Sequence, residues 1–457
     1  MQKTLAKTLL AGLAPAGFDG GELIDRVTTD SREARPGSIF VAFPGARVDG
    51  HSFAAQCVAQ GAAYVVLNHP VPGVPEEKTI LCPDSYRAML TIGANYRARF
   101  APVMIGVTGS VGKTTTKEFC YAVLSAFGNT LKTQGNQNNE LGLPRTLLGL
   151  DQTTQFAVVE MGMSHLGEID RLARCARPSA GIITCIGVSH LETLGSRENI
   201  LKAKLELCAG LPEGAPLALN GDDAYLRGAS LPGHVRPVWY ALDDPRADVR
   251  AEELATLGAS TRFTLRDAEH GSFTVTIPTL GRHNVYNALA AYSAATRLGL
   301  DAQTAAAALA GFEQTGMRQH VVHCGGVDVI EDCYNANPDS MRAALLMFRD
   351  YPCRRRIALL GDMLELGSVQ EQAHREAGRQ AAECGVDLLI AYGPLARLAA
   401  EQAAAQGVRT VCAATHREAA QALLEHAEPG DAVLAKASRS MQLEKALELF
   451  YAIRSAG

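Results

Sequence analysis

The chain has 457 residues, of which 47% are hydrophobic, and its formal net charge is -5 at pH 7. This length exceeds one ordinary domain and predicts two or three. The lysines and arginines are scattered, so no basic tract offers a surface for nucleic acid or anionic lipid. Because no segment has the roughly twenty uninterrupted apolar residues that span a bilayer, we expect a soluble protein without transmembrane segments.

The cysteines and the first residues favour a cytoplasmic location. Eleven cysteines occur singly, without a C-x-x-C pair of the kind that binds zinc or exchanges disulfides, and we expect reduced thiols. The start, "MQKTLAKTLLAGLAPAGFDGGE", has basic residues before a short apolar run, as a signal peptide does. Gly12, Pro15 and Gly17 interrupt that run, which favours a short amphipathic helix instead.

The first predicted domain, residues 1–82, is a small α/β unit. "SIFVAFPG" and "YVVLN" have the composition of buried strands, and "HSFAAQCVAQGA" between them has that of a helix ending at glycine. The proline-rich and charged segment "NHPVPGVPEEKTILCPDS" marks an exit from this unit. A helix over roughly 84–99 is expected to follow.

The second predicted domain, residues 83–313, alternates strands and helices. The apolar runs "VMIGV", "FAVVE", "AGIITCIG" and "PLALN" are separated by helical patterns, and alanine-rich helices follow "GRHNVYNALAA" up to about Gly311. Such alternation predicts a mostly parallel sheet covered by helices.

The third predicted domain, residues 314–457, repeats the alternation. Its strands are expected at "VDVIED", "RIALLGD", "DLLIAYG", "RTVCA" and "DAVLAKAS", with helices between them, which is the pattern of a Rossmann-like domain. The chain is therefore predicted to be an α/β protein of three domains, with a central P-loop ATPase-like sheet.

The stretch "IGVTGSVGKTTTKEF" indicates a phosphate-binding loop between a strand and a helix, although the first glycine of the general pattern is replaced by Val107. Gly109 and Gly112 let backbone amides close around an anion at a helix N-terminus. Lys113 can reach the β- and γ-phosphates, and the Thr114 hydroxyl can bind magnesium. The alternative is a glycine turn without a ligand. The predicted nucleotide-binding residues of the loop are Thr108, Gly109, Ser110, Gly112, Lys113, Thr114 and Thr115.

Two other strand ends carry candidate metal ligands. "FAVVE" ends in Glu160, where a carboxylate beside a phosphate loop can bind magnesium, although a solvated strand end is the alternative. "AGIITCIG" leads to His190. Magnesium prefers oxygen, so the residues alone leave open whether this histidine belongs to the site.

Motifs along nearly the whole chain resemble the Mur ligase family. They are "TDSREARPGSIFVAFPG", "VTGSVGKTTTKE", "GNQNNELGLPRTLL", "VVEMGMSHLGEI", "VSHLETLGS", "KAKLEL", "GRHNVYNALAA", "EDCYNANPDSM", "LGDMLELG" and "KASRSM". A phosphate loop without the leading glycine is that family's own form.

The resemblance implies an ATP-dependent ligase that joins UDP-N-acetylmuramoyl-tripeptide to D-alanyl-D-alanine through an acyl phosphate, in a monomer. It implies an ATP site and two magnesium ions: Thr114 and Glu160 would hold one ion, and His190 with a carbamylated Lys204 would hold a second. Lys113, His190 and Lys204 would be catalytic. Without the family, nothing distinguishes Lys204 from Lys202, since both fit a solvated helix face.

The resemblance also assigns residues to nucleotide and substrates. Asn287 would lie near adenine, with His283 and Asn284 shaping the pocket, and a helix cap is the alternative for Asn284. Arg318 would lie at the hinge into the third domain, although this chain has Gly-Met-Arg where the family has Gly-Arg. The substrate-binding set would be Ser31, Arg32, His51, Asn138, Asn139, Asp332, Asn335, Asn337, Ser340, Lys436 and Ser438.

Some of these assignments have alternatives in the residues themselves. "YNANPDSM" also favours a turn, and Arg32 also fits an ordinary surface arginine. Ala437 stands where relatives have glycine, which restricts the approach of a ligand to the backbone. Two other functions compete: a folylpolyglutamate synthetase of the same superfamily, and a nucleotide switch that hydrolyses ATP without an acceptor.

Overall fold

The computed structural model describes residues 1–45 and 48–454. Within these ranges the strands form a two-stranded ribbon and sheets of four, nine and six strands. The regions built on the three larger sheets are named the N-terminal, central and C-terminal units. This architecture confirms the predicted α/β fold. Nowhere in the described ranges does a helix combine the length and apolar character that crossing a membrane requires.

The N-terminal unit contains a small parallel sheet. Its elements are β1 (Thr4–Leu5), α1 (Ala6–Leu9), β2 (Leu23–Ile24), β3 (Arg26–Thr28), β4 (Ser38–Val41), α2 (Ala54–Ala59), β5 (Tyr64–Leu67) and β6 (Thr79–Leu81). β1 and β2 pair antiparallel, whereas β3 to β6 pair parallel in chain order. The predicted strands "SIFVAFPG" and "YVVLN" contain β4 and β5, whose residues are all buried.

One helix, α3 (Ser85–Arg97), connects the N-terminal and central units. The Asp84 carboxylate accepts hydrogen bonds from two backbone N–H groups of the first turn, a cap that stabilises a helix by about 1 kcal/mol. On its buried face the Tyr96 hydroxyl donates to the carbonyl oxygen of Leu150 at 2.8 Å. The helix therefore fixes the N-terminal sheet to the central unit.

The central unit is built on the nine-stranded sheet. Its elements are β7 (Val103–Thr108), α4 (Lys113–Ser125), β8 (Thr130–Lys132), α5 (Gly142–Leu147), β9 (Phe156–Glu160), α6 (Glu168–Ala176), β10 (Ala180–Ile183), α7 (Leu191–Leu194), α8 (Arg197–Leu205), β11 (Ala215–Asn220), α9 (Ala224–Arg227), β12 (Val235–Ala241), β13 (Val249–Leu257), β14 (Ser260–Asp267), β15 (Gly271–Ile277), α10 (Arg282–Arg297) and α11 (Ala302–Ala308). The strand order is β15-β14-β13-β12-β11-β10-β7-β9-β8.

From β8 to β13 the neighbouring strands are parallel, as the alternating pattern predicts. β14 and β15 extend the sheet with antiparallel pairs. The phosphate-loop strand β7 lies between β10 and β9 in the middle of the sheet. The loops that follow these three strands consequently share one edge.

The C-terminal unit has the Rossmann-like alternation. Its elements are β16 (His320–Cys324), β17 (Val327–Glu331), α12 (Pro338–Arg349), β18 (Arg356–Gly361), α13 (Gln370–Glu383), β19 (Leu388–Tyr392), α14 (Ala396–Ala404), β20 (Arg409–Ala413), α15 (His416–His426), β21 (Ala432–Lys436) and α16 (Glu444–Arg454). The five strands from β17 onwards include every strand predicted for this region and pair parallel, and β16 adds an antiparallel edge.

Candidate active site

A cleft of about 400 Å³ is lined by residues of the central and C-terminal units. Glu160 ends β9, Asp332 follows β17 and Lys436 ends β21, so both parallel sheets present their carboxyl edges to the same space. The predicted site residues that line it are Ser110, Gly112, Lys113, Thr114, Thr115, Asn138, Glu160, Asn287, Arg318, Asp332, Asn335, Asn337, Ser340 and Lys436.

The phosphate loop is held by contacts that only glycine allows at two positions. Gly112 has a φ of 82°, and a Cβ on it would lie 2.5 Å from Oδ1 of Asn287. A Cβ on Gly109 would lie 1.8 Å from the Thr184 hydroxyl oxygen. That hydroxyl donates to the Val111 carbonyl at 2.5 Å. The backbone of the loop is therefore fixed before α4 begins at Lys113.

Lys113 folds back over the loop. Its Nζ donates to the Gly109 carbonyl oxygen at 2.8 Å. Burial lowers the pKa of this amine, the Glu160 carboxylate opposes that shift, and Arg318 adds to it. A cation in this position at the N-terminus of α4 is suited to an incoming phosphate.

Thr114 and Glu160 form an oxygen pair beside the loop. The Thr114 hydroxyl donates to Oε2 of Glu160 at 2.9 Å, and Nδ2 of Asn138 donates to Oε1 at 2.7 Å. No three His, Cys, Asp or Glu side chains cluster as a metal cage in the part of the chain that the structure describes. Magnesium commonly completes its shell with water and phosphate oxygens, so this pair fits a magnesium that arrives with a nucleotide.

Lys204 and His190 form the second candidate group. Lys204 is 1% exposed, and among the described residues its Nζ has no hydrogen-bond partner. Burial, followed by repulsion from Lys113, lowers the pKa of Lys204 well below its usual value. Burial and the nearby Lys204 and Lys113 also lower the pKa of His190 to about 4. The site therefore favours a neutral amine beside a neutral imidazole.

Asn287 belongs to a hydrogen-bond network between α4 and the segment after α11. Its Oδ1 accepts from the Thr116 hydroxyl at 3.0 Å, and its Nδ2 donates to Oδ1 of Asn284 at 3.2 Å. Nδ2 of Asn284 in turn donates to Oε1 of Gln319 at 2.9 Å. The side chain of Asn284 thus lies inside this network, and the N-cap of α10 is Gly281, which has no side-chain cap hydrogen bond.

Arg318 lies in the segment that joins the central and C-terminal units. Its guanidinium carbon is 4.0 Å from the centre of the Tyr334 ring, a stacking geometry that fixes its direction. Both residues line the cleft. This arginine is thus placed to meet an anionic or aromatic ligand group.

In the C-terminal unit, Lys436 and Asp332 form a buried ion pair. Nζ of Lys436 lies 2.7 Å from Oδ2 of Asp332 and also donates to the carbonyl of Asn335 at 3.1 Å. Ser438 lies just outside the cleft lining, where its hydroxyl donates to the Ala336 carbonyl at 3.3 Å. The Lys436–Asp332 pair, through the bond of Lys436 to the Asn335 carbonyl, orders the turn before α12.

Asn337 and Ser340 start α12. Oδ1 of Asn337 accepts from the backbone N of Ser340 at 2.8 Å, and the Ser340 hydroxyl accepts from the backbone N of Asn337 at 3.0 Å. This capping box is a structural use of both residues. The turn-forming alternative for "YNANPDSM" is therefore present in the structure together with the cleft position.

The predicted residues of the N-terminal unit lie outside the cleft lining. Arg32 is exposed and lies 2.5 Å from Asp30, which precedes Ser31. Both ring nitrogens of His51 have partners, since Nδ1 lies 2.6 Å from Asp49 and Nε2 accepts from the backbone of residue 68 at 3.0 Å. The oxygen Oδ1 of Asn139, a central-unit residue, accepts from the backbone at the start of α5.

Sequence patterns missed several residues that line the cleft. Thr184 and Asn220 follow or end β10 and β11, and the rule that ligands bind at carboxyl ends of parallel strands was a signal for them. Tyr286 and Gln319 had no comparable signal, because the packing of α10 against the joining segment brings them to the cleft. Tyr334 follows β17, as Asp332 does, and carried the same strand-end signal.

Family profiles and relatives agree with this geometry. Residues 23–97 match the profile described as Mur ligase family, catalytic domain, residues 107–295 match the Mur ligase middle domain, and residues 317–439 match the Mur ligase, glutamate ligase domain. The UDP-N-acetylmuramoyl-tripeptide--D-alanyl-D-alanine ligase of Bacillus subtilis (strain 168) is 38% identical over 448 residues, covering 97% of this chain and 96% of the relative. The enzyme of the same name from Escherichia coli (strain K12) is 36% identical, covering 81% of each chain.

Solved structures show the same fold. MurF from Acinetobacter baumannii superposes with a TM-score of 0.89 at 31% identity, covering 99% of both chains. MurF ligase from Thermotoga maritima, solved in complex with ADP, gives a TM-score of 0.86 at 27% identity, covering 94% of this chain and 98% of that one. The phosphate loop, the two facing sheet edges and these matches establish that the chain belongs to the Mur ligase family.

Proposed function

We propose that this chain is an ATP-dependent ligase that joins UDP-N-acetylmuramoyl-tripeptide to D-alanyl-D-alanine by an amide bond, in the synthesis of peptidoglycan precursors. The relatives from B. subtilis and E. coli carry these substrates in their names. The observation that carries the proposal is the single cleft in which Lys113 and Thr114 of the phosphate loop face Asn335 and Lys436 of the C-terminal unit. A phosphorylated acid and an amine can meet there.

In the first step a carboxylate oxygen of the tripeptide attacks the γ-phosphorus of ATP. The bond from that phosphorus to the bridging oxygen breaks, and ADP leaves with the electron pair. Lys113 offsets the phosphate charge when its Nζ leaves the Gly109 carbonyl. The backbone amides of the loop, from Ser110 to Thr115, cradle the phosphates, and Asn287 and Arg318 border the nucleoside part.

In the second step the amine of D-alanyl-D-alanine attacks the acyl carbon. The carbon–oxygen bond to phosphate then breaks, inorganic phosphate leaves, and the nitrogen loses a proton. Asn335, Asn337 and Ser340 at the start of α12, together with the Asp332–Lys436 pair, hold the dipeptide at the rim of the C-terminal sheet. Closure of the cleft excludes the water that would hydrolyse the acyl phosphate.

Two magnesium ions fit the residues present. Thr114 and Glu160 would hold one, and the imidazole of His190 with a carbamylated Lys204 would hold the other. An uncharged amine can add to carbon dioxide, forming a nitrogen–carbon bond and releasing one proton. Lys204 suits this reaction because its Nζ is buried without a hydrogen-bond partner among the described residues and because burial lowers its pKa. When bound, the ions would supply positive charge for the phosphoryl oxygens.

The remaining assignments complete the proposal. Domains at 1–82, 83–313 and 314–457 carry the UDP-muramyl site, the nucleotide site and the dipeptide site of a cytoplasmic monomer. Ser31, Arg32 and His51 lie on the N-terminal unit, which receives the UDP-muramyl end, and the peptide runs past Asn138 and Asn139 towards the cleft. Ser438 supports the dipeptide rim from behind, through its bond to the Ala336 carbonyl.

The test is phosphate release from ATP by the purified protein, with and without each substrate, combined with mass identification of the product. We expect phosphate release to depend on both substrates and to match the pentapeptide product one for one. ATP hydrolysis that ignores both substrates would contradict the ligase and favour a nucleotide switch. In a parallel reaction that supplies a folate and glutamate in place of these substrates, formation of a glutamate-extended folate would favour the folylpolyglutamate activity instead.

A further inference from the structure

Residues 186–189 form a short segment between β10 and α7, named here the 186–189 loop. The C-terminal unit contacts this loop directly. The backbone N of Val188 donates to Oδ2 of Asp339 at 2.9 Å, and Nδ2 of Asn337 donates to the Ser189 hydroxyl at 2.6 Å. Both side chains, those of Asp339 and Asn337, come from the start of α12. His190 follows the loop immediately.

The other side of the loop is bonded to the phosphate loop. The backbone N of Gly187 donates to the Ser110 hydroxyl at 2.9 Å, and the backbone N of Ser110 donates to the Cys185 carbonyl at 3.0 Å. The 186–189 loop is therefore a physical link between the nucleotide site and α12. A shift of either partner acts on the same four residues.

Gly187 is where the 186–189 loop comes closest to Asp339 of the C-terminal unit. A Cβ on it would lie 2.0 Å from Oδ2 of Asp339 and 3.2 Å from Cβ of Ser110. Its φ lies outside the left-handed region, so the backbone itself accepts an alanine. The absence of a side chain at this position consequently serves the contact with Asp339.

A second contact lies on the far side of His190. A Cβ on Gly367, in the C-terminal unit, would lie 3.5 Å from Cβ of Glu192 in α7. The segment that carries His190 is thus hydrogen-bonded to the C-terminal unit before the histidine and lies close to that unit after it. Its position depends on how that unit docks.

We propose that Asp339 is a positioning residue that, with Gly187, forms a latch between the phosphate loop and the C-terminal unit. The latch sets the distance between the acyl phosphate and the amine, and it fixes the loop before His190. The proposal deepens the ligase function and rests on it. Without the latch the acyl phosphate still forms, but it is exposed to water, so ATP is consumed without product.

Asp339 has a competing structural role, because its charge lies in the first turn of α12 and interacts favourably with the helix dipole. Asp339→Asn separates the two roles. The variant keeps an oxygen that accepts from Val188, but it removes the charge. Asp339→Ala removes both, and Gly187→Ala blocks the contact from the central unit while leaving α12 intact.

The experiment measures ligation rate, phosphate released per product, and the radius of gyration in solution with ADP present, for wild type and variants. Asp339→Ala and Gly187→Ala should lower kcat about 10- to 100-fold, raise the KM for D-alanyl-D-alanine, and release more than one phosphate per product. Both variants should also have a larger radius of gyration than wild type. Asp339→Asn should stay within about 3-fold of wild type. Glu371→Ala, which removes an exposed first-turn carboxylate from α13, is the matched control.

The latch is overturned if Asp339→Ala and Gly187→Ala behave as Glu371→Ala does, or if Asp339→Asn is as impaired as Asp339→Ala. Non-additive loss in the double variant supports a single shared contact. If Asp339→Ala fails to fold, Gly187→Ala tests the same contact from the other side. If the wild-type protein shows no ligation, the proposed function is wrong. The radius of gyration of the variants would still test the latch, because that measurement does not depend on ligation.

Discussion

The hydroxyl of Thr114 donates a 2.9 Å hydrogen bond to Oε2 of Glu160, joining the first turn of α4 to the end of β9. The other carboxylate oxygen accepts from Asn138. Two oxygen atoms from neighbouring elements therefore stand together beside the phosphate loop. A hard cation that replaces their mutual hydrogen bond gains two oxygen ligands without moving the backbone.

Glu160→Gln should raise the magnesium concentration needed for half-maximal ligation about 10- to 100-fold, since the amide keeps a hydrogen-bond acceptor for Thr114 but lacks the charge. Titration of activity with magnesium at saturating ATP measures this. Glu213→Gln, at an exposed position of the same unit, is the control and should leave the requirement unchanged. An unaltered magnesium requirement in Glu160→Gln would remove this residue from the metal site.

Lys113→Ala should abolish formation of the acyl phosphate, with a loss of at least about 100-fold, because Lys113 begins α4 and places its amine beside the phosphate loop. Hydroxylamine, which traps acyl phosphates as hydroxamates, measures the intermediate directly. The fold should persist, since the hydrogen bonds of the lysine side chain are to the Gly109 and Ser110 carbonyls of its own loop. Normal turnover by a folded variant would exclude the loop from the mechanism.

Local patterns predicted much of the fold. Buried parallel strands such as β9 and β21 are continuous apolar runs, which sequence inspection detects. Strands β13 to β15 were not predicted, because the prediction rested on continuous apolar runs and many side chains of these strands are exposed. The alternation of buried and exposed residues along β14 was an available strand signal. The place of these three strands in the sheet is set by pairing with β12, a relationship that no short segment contains.

The residues of the site likewise differ in how far the sequence could predict them. The phosphate loop is local, so its residues are recognisable from spacing alone. Lys202 and Lys204 are indistinguishable in sequence, yet Lys202 is exposed and Lys204 is 1% exposed, because the packing of α8 decides which lysine is buried. The contact of Asp339 with Val188 joins residues 151 positions apart and could not be predicted from either segment.

Lys204→Met should prevent carbamylation and lower the ligation rate at least about 100-fold, because the methionine cannot supply an oxygen ligand. In wild type, ¹³C-labelled bicarbonate should give a carbamate carbon resonance that Lys204→Met lacks. Lys202→Met is the matched control on the same helix and should keep both the resonance and the activity. A resonance that survives in Lys204→Met, or is absent from active wild type, would contradict the modification.

Asp267 and Arg297 form a buried pair far along the chain from the phosphate loop, with both guanidinium nitrogens 2.9 Å from the carboxylate oxygens. Burial alone would raise the pKa of Asp267, but the hydrogen bonds from Arg297 and its neighbours lower it to about 2. Asp267→Ala leaves the buried guanidinium without this partner and should reduce the free energy of unfolding by about 3 kcal/mol at pH 7.

The pH dependence of that loss follows from the direction of the shift. The folded pKa of Asp267 lies below its ordinary value of 3.8, so the carboxylate contributes stability above that value and loses it as pH falls through about 2. The difference in the free energy of unfolding between wild type and Asp267→Ala, measured with urea, should therefore narrow by about 2 kcal/mol as the pH falls from 5 to 2. Adding Arg297→Met to Asp267→Ala removes the unpaired charge and should recover part of the loss at pH 7. A difference that is independent of pH would show that the alanine acts through packing and not through the ion pair.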